Sequence, residues 1–104
     1  MNCKPVMTLP EVAEDLRLGK IHYLSWRSDG AEYFLGKFLA TVGLIEQNPD
    51  RFPLKYGPVQ RAMLKHSFDI AYFVQESDRS LVVAVLDGRR SPDDFKQITA
   101  APLP

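Results

Sequence analysis

The sequence predicts an α+β layer fold: an antiparallel β-meander of three to four strands, covered on one face by an N-terminal α-helical hairpin and followed by a short C-terminal helix. Three observations carry that expectation. Two apolar stripes at helical spacing fill the first half of the chain, parted only by Ser28-Asp29-Gly30. Three β-patterned runs follow a proline-rich stretch in the second half. The last, Leu81-Val-Val-Ala-Val-Leu86, is too short for a helix that fills a core, and it suits a strand buried on both faces.

Taken in order, Lys4 to Met7 reads as a short strand, and Pro5, which lacks a ladder donor, assigns it to an edge. Thr8-Leu-Pro-Glu11 reads as a helix start, with Thr8 as cap, Glu11 as its capping-box partner and Pro10 in the first turn. The first helix is expected to run to about Arg27, with Val12, Leu16, Gly19, Tyr23 and Trp26 on one face. That places Trp26 in the core or at its rim and leaves His22 solvated. Asp29 is positioned to cap a second helix with Phe34, Leu35, Phe38, Val42 and Ile45 inward, ending at Asn48-Pro49. So short a turn makes the two helices an antiparallel hairpin.

Asp50 to Pro58 holds two prolines and a glycine and reads as a loop pinned by Phe52 and Tyr56. The strands Val59–Lys65, Phe68–Val74 and Leu81–Leu86 follow, with the polar stretch Gln75 to Ser80 as a hairpin loop. In the first, Ala62 and Leu64 share one side, while Arg61, Met63 and Lys65 share a wet, basic one. The last run is expected to be the central strand. It ends at Asp87-Gly88, a turn signal, and delivers Arg89 and Arg90 to its own exit. Pro92-Asp93-Asp94-Phe95 reads as a short helix with acids in its first turn.

A chain of 104 residues suits one domain spanning 1–104. Its formal charge of zero supplies no global field toward nucleic acid, though a local basic patch is compatible with that balance. Cys3 is the only cysteine, which rules out an intrachain disulfide and a cysteine-based zinc site and fits a reducing cytoplasm. No apolar run approaches the ~20 residues that cross a bilayer. The N-terminus has no secretory pattern, so neither membrane nor export is expected. Asp93-Asp94 belongs to helix-start chemistry, and no ligand cluster argues for a metal or other cofactor. What remains as a candidate site is Arg61, Lys65, His66, Tyr72, Arg89 and Arg90. The arginine pair is the best single partner contact, because arginine is favoured at interface hot spots.

Several stretches in this order resemble the RelE/ParE superfamily, the toxins of bacterial type II toxin–antitoxin modules. They are Leu-Pro-Glu-Val-Ala-Glu-Asp-Leu, Gln-Asn-Pro-Asp-Arg-Phe-Pro, Gln-Arg-Ala-Met-Leu-Lys-His-Ser-Phe-Asp-Ile-Ala-Tyr-Phe-Val and Val-Ala-Val-Leu-Asp-Gly-Arg-Arg-Ser-Pro-Asp-Asp-Phe. The resemblance covers nearly the whole chain. It implies a cytoplasmic toxin silenced by a cognate antitoxin that wraps along the hairpin and the sheet in a hetero-oligomer. RelE-like members cleave mRNA on the ribosome, and ParE-like members poison DNA gyrase, a role tied to plasmid stabilization.

Cutting an RNA backbone without metal needs a base for the 2′-OH proton, cations for the crowded phosphate and an acid for the leaving oxygen. Where RelE-like nucleases carry an arginine, this chain has Asp69, and near the C-terminus it offers Phe95 and Lys96 in place of a tyrosine. The resemblance therefore points to the ParE-like branch, which inhibits gyrase by binding, with no catalytic residue. The alternative is a ribosome-dependent mRNA endonuclease built on His66, Arg61 and Arg89; a third reading is a degenerate toxin that only binds its antitoxin.

Overall fold

Hydrophobic side chains on both sides of the C-terminal strands force two apolar layers onto one sheet, and the helices cover one of them. The structure, a computed structural model, describes residues 3–88. Its elements are β1 (Val6–Thr8), α1 (Val12–Leu24), α2 (Gly30–Gln47), a 3-10 turn (Pro49–Arg51), β2 (Leu54–Tyr56), β3 (Val59–Met63), β4 (Asp69–Gln75) and β5 (Ser80–Asp87). The stretch read as a final helix, Pro92 to Phe95, lies outside the described residues. No described helix is long and apolar enough to cross a membrane.

The α+β class and the helical hairpin are as expected, but the sheet is not a pure meander of three or four strands. It has five strands in the order β1-β5-β4-β3-β2 and is mixed. β1 lies parallel to β5, Val6 opposite Ser80 and Thr8 opposite Val82, and the helical hairpin together with β2, β3 and β4 forms the long connection between them. β5 is therefore interior, and β4 takes the middle position. β2 was hidden in the stretch read as loop. Gly57, at φ +51°, turns the chain so that Tyr56 meets Val59 and Leu54 meets Gln60. Buried Gln60 then ties this region down: its amide donates to the carbonyls of Pro49 and Phe52, both at 2.8 Å.

The first helix begins later than the capping pattern suggested. Thr8 belongs to β1, and Leu9 extends the ladder by donating to the Val82 carbonyl at 3.0 Å. Pro10 and Glu11 form a tight turn instead, with Val12 N–H bonded to Leu9 and Ala13 N–H to Pro10. Glu11 takes the N-cap position without a side-chain cap bond, so sheet pairing prevails over the capping box. The helix stops at Leu24, where the Ser25 hydroxyl donates to the His22 carbonyl at 2.5 Å, and Trp26 is left 59% exposed. Asp29 stands at the N-cap of α2, but its carboxylate is held by the Arg27 guanidinium at 2.6 and 3.0 Å.

α2 buries Phe34, Phe38, Thr41 and Ile45, a stripe set by the helical period. With Val12 and Tyr23 of α1, its apolar members pack on Ala62, Leu64, Ala71, Phe73, Val82 and Val85. A register shift at Tyr72/Phe73, paired with Ala84 and Val82, leaves Val83 as an extra residue in β5. That bulge resets the alternation: Val82 and Val85 face the hairpin, while Leu81, Val83, Ala84 and Leu86 join Val59, Ile70, Tyr72 and Val74 in the opposite layer. The opposite face, expected to be wet, is thus largely buried.

Two glycines set the hairpin's closeness. A Cβ at Gly19 would run into the Phe34 ring, and one at Gly30 would run into the Tyr23 backbone. At Gly36 a Cβ would meet nothing within 4 Å. Gly30→Ala and Gly19→Ala are expected to destabilise by roughly 1–3 kcal/mol. Gly36→Ala is expected to stabilise by about 0.5–1 kcal/mol, because helical glycine costs more chain entropy than alanine. Urea unfolding of the three variants measures the contrast.

Candidate functional site

β3 and β4 place Arg61 directly opposite Tyr72, so the two side chains share the face turned away from the helices. Tyr56 of β2 belongs to the same face and packs against its apolar layer. Arg61 is half-buried, Tyr72 is only 6% exposed, and Met63 stands 61% exposed beside them. The chemistry here is a fixed cation and two phenols over an apolar floor of Val59, Val74 and Val83. Burial pushes the Tyr72 hydroxyl above its ordinary range; the Arg61 charge pulls it down, and Tyr56 adds to the rise. Half-buried Arg61 can offer charge-assisted hydrogen bonds to a partner surface, while Tyr72 belongs to the buried layer beneath it.

The other sequence-derived residues fall elsewhere. Lys65 and His66 sit in the turn between β3 and β4, where the Lys65 carbonyl accepts from the Lys37 ammonium of α2. His66 adopts φ +57°, a left-handed conformation uncommon for a residue with a side chain. It lines a recess with Tyr23, Trp26 and Tyr33, on the hairpin side of the sheet. Arg61 and Tyr72 are therefore brought together, while His66 is turned to the opposite side from Arg61. Arg89 and Arg90 lie outside the described residues. Among the described residues, no group of three or more His, Cys, Asp or Glu is arranged to hold a metal ion.

Asp69, conspicuous in the sequence for its sign, has a structural occupation. Its Oδ2 accepts from the Ser67 hydroxyl at 2.7 Å and from the Tyr23 hydroxyl at 3.1 Å, and those two hydroxyls lie 2.8 Å apart. Ser67 Oγ in turn accepts from the Asp69 backbone N–H at 3.0 Å. This knot joins the end of α1 to the start of β4. Burial raises the Tyr23 hydroxyl above its usual range; the Ser67 hydrogen bond opposes that rise and the Asp69 charge adds to it. Sequence reasoning missed the knot because its members are 44 and 46 residues apart. The Ser-Phe-Asp turn was its only local signal.

No protein-family model matches the sequence, and no curated protein matches it. Among solved structures, the chain is similar to one from the chromosomal ParDE TA system of P. aeruginosa, with a TM-score of 0.65 and 17% sequence identity. The match covers 79% of this chain and 92% of that one. The two share a fold.

Both tyrosines are neutral in the folded state and ionise there later than the ordinary phenol value of about 10. Their contribution is complete below pH ~10 and is lost as pH rises through the folded values, because the unfolded chain ionises first. Unfolding titrations across alkaline pH should show that loss, and it should be shallower in the Tyr23→Phe, Tyr72→Phe double variant. At neutral pH, Tyr23→Phe should cost about 1 kcal/mol for the broken knot.

Proposed function

We propose that this chain is the toxin of a type II toxin–antitoxin pair, ParE-like in acting by binding DNA gyrase and silenced by a cognate antitoxin. The observation that supports this reading most is the fold shared with a chain of the ParDE system over nearly all of that chain's length. Two features of the site favour binding over RNA cleavage. His66 and Arg61 are turned to opposite sides of the sheet, so a base and a phosphate-holding cation do not converge. Asp69, at the entrance of β4, sets a carboxylate where a nuclease would need positive charge.

In this reading Arg61 grips the target from the sheet face, with buried Tyr72 opposite it across the strand pair, and Lys65 extends the contact along the β3–β4 turn. Arg89 and Arg90 complete the cationic set as the chain leaves β5. The hairpin offers the antitoxin a surface of different character. Leu18, Ile21 and Leu24 of α1 and Leu39 and Leu44 of α2 are all exposed, more apolar surface than a solvated helix pair needs. An antitoxin segment that folds as it docks would bury it within a toxin–antitoxin hetero-oligomer.

Gyrase supercoiling and translation, assayed side by side with the purified chain, test the proposal. The expected outcome is loss of supercoiling with accumulation of cleaved DNA, reversed by the cognate antitoxin. Arg61→Ala should weaken inhibition roughly tenfold, as loss of an interface arginine does, while His66→Ala should change it little. Untouched gyrase would overturn the proposal. So would translation-dependent cuts in message that His66→Ala abolishes, and these would establish the endonuclease reading instead.

A further inference from the structure

Charge in this chain is spread unevenly. From Arg51 to His66 there are four cations, Arg51, Lys55, Arg61 and Lys65, and no aspartate or glutamate. The whole chain is formally neutral, so the remainder is net acidic. Its carboxylates include Asp15, Asp69 and Asp87, which border an acidic hollow of about 450 Å³ on the hairpin side of the sheet. Every described arginine outside this stretch is held by a neighbouring carboxylate: Arg17 by Glu14, Arg27 by Asp29 and Arg79 by Glu76. Among the described residues, none of the four cations of 51–66 has an ion-pair partner.

The fold gathers these four. They come from the 3-10 turn, β2, β3 and the turn after β3, one continuous ribbon at the edge of the sheet. The Arg61 N–H donates to the Pro53 carbonyl at 3.0 Å, and Leu54 pairs with Gln60, which sets Arg51 and Lys55 alongside Arg61. Lys65 follows further along the same strand direction, about 13 Å from Arg61 at the rise of an extended chain. The Arg51 guanidinium lies 5.6 Å from the centre of the Phe52 ring, and the Lys55 ammonium 5.4 Å from that of Tyr56. Those contacts steady the side chains, while both residues stay exposed.

Three features select the partner. β2 is three residues long, bracketed by Pro53 and Pro58, with Lys55 at its centre. Such an edge resists pairing with another strand, so an extended peptide gains no ladder there. The Phe52 and Tyr56 rings each carry a cation of the chain's own, so they are not open platforms for unstacked bases. A row of cations matches a row of anions instead, and each strand of a DNA duplex presents a phosphate about every 3.4 Å along the axis.

We propose that the β2–β3 ribbon binds the phosphate backbone of duplex DNA without reading its sequence. Contacts to phosphate fix position and orientation and carry no sequence information. This activity needs only the charges of the ribbon and does not depend on the toxin reading.

The test titrates a labelled DNA duplex of about 20 base pairs with the full-length protein, by fluorescence anisotropy, between about 50 and 200 mM salt. Four phosphate contacts give a slope of log K against log salt of about −3.6, an affinity loss on the order of 100-fold over that range. Arg51→Ala and Lys55→Ala should each make the slope shallower by about 1 and weaken binding roughly tenfold at the low-salt end. Arg51→Lys and Lys55→Arg keep the charge and should retain the slope, and Arg17→Ala on α1 should leave it unchanged. Amide shifts on adding DNA should cluster between Arg51 and Lys65, and duplexes of different sequence should bind alike. No binding at low salt, or a slope that the ribbon variants leave unaltered, would overturn the proposal. Tighter binding of the single strand would overturn it by identifying a stacking surface. Equal competition by poly-glutamate matched in charge would do so by identifying an acidic protein segment as the partner. Loss of binding in the Arg89→Ala, Arg90→Ala variant, with the ribbon variants intact, would move the contact to the exit of β5 and overturn it too. Gyrase is absent from every arm, so failure here and failure of the toxin reading are told apart.

Discussion

The antiparallel pairing of β4 with β5 is the constraint from which the other features follow. Both strands are buried on both faces, so every residue from Ile70 to Val74 and from Ser80 to Leu86 must be placed in one of two layers. A single extra residue, Val83, changes which ones go where. Without that bulge, strict alternation would send Ala84 toward the hairpin and Val85 away from it. Instead Val85 packs under α1, and its backbone N–H donates to the Asp15 carboxylate at 2.9 Å. That bond ties the helix to the strand beside the acidic cleft.

The same pairing separates the molecule's two chemistries. Cross-strand register puts Arg61 and Tyr72 on the face away from the helices, and the β3–β4 turn carries His66 around to the other side. One side of the sheet carries a cation and phenols, and the other gathers carboxylates and aromatic rings at the helix–strand junction. The Tyr23–Ser67–Asp69 knot stabilises that junction and holds the recess open, since the Tyr23 ring is one of its walls. A residue whose sign told against phosphate binding thus has a positive role in the architecture.

Patterns of near neighbours were legible. The helical period marked Phe34, Phe38 and Ile45 as α2's buried stripe, and Asn48-Pro49 marked its end. The unbroken apolar run marked β5 as buried on both sides. Hidden were features that depend on distant partners. β2 is three residues long and exists because Gly57 folds it onto β3. β1 claimed Thr8 from the helix because Val82 offers Leu9 a hydrogen bond across the sheet. Trp26 was assigned to the packed side by periodicity, but the helix unwinds at Ser25 before that residue can be turned inward. Of the candidate site, the side of β3 that carries Arg61 was legible from alternation, whereas its pairing with Tyr72 and the acidic hollow were not, since they depend on cross-strand register and on walls from four separate segments.

By itself, the sequence determined the class of fold, the two helices with their inward faces, and the strands that fill the core. Those depend on local period and on the free energy of removing apolar side chains from water, which neighbours along the chain already specify. Only the tertiary structure decided the parallel edge strand, the bulge that redirects Val85, and the placement of Arg61 and His66 on opposite sides. Those depend on hydrogen bonds and register between segments tens of residues apart, where a shift of one position reverses the face a side chain presents.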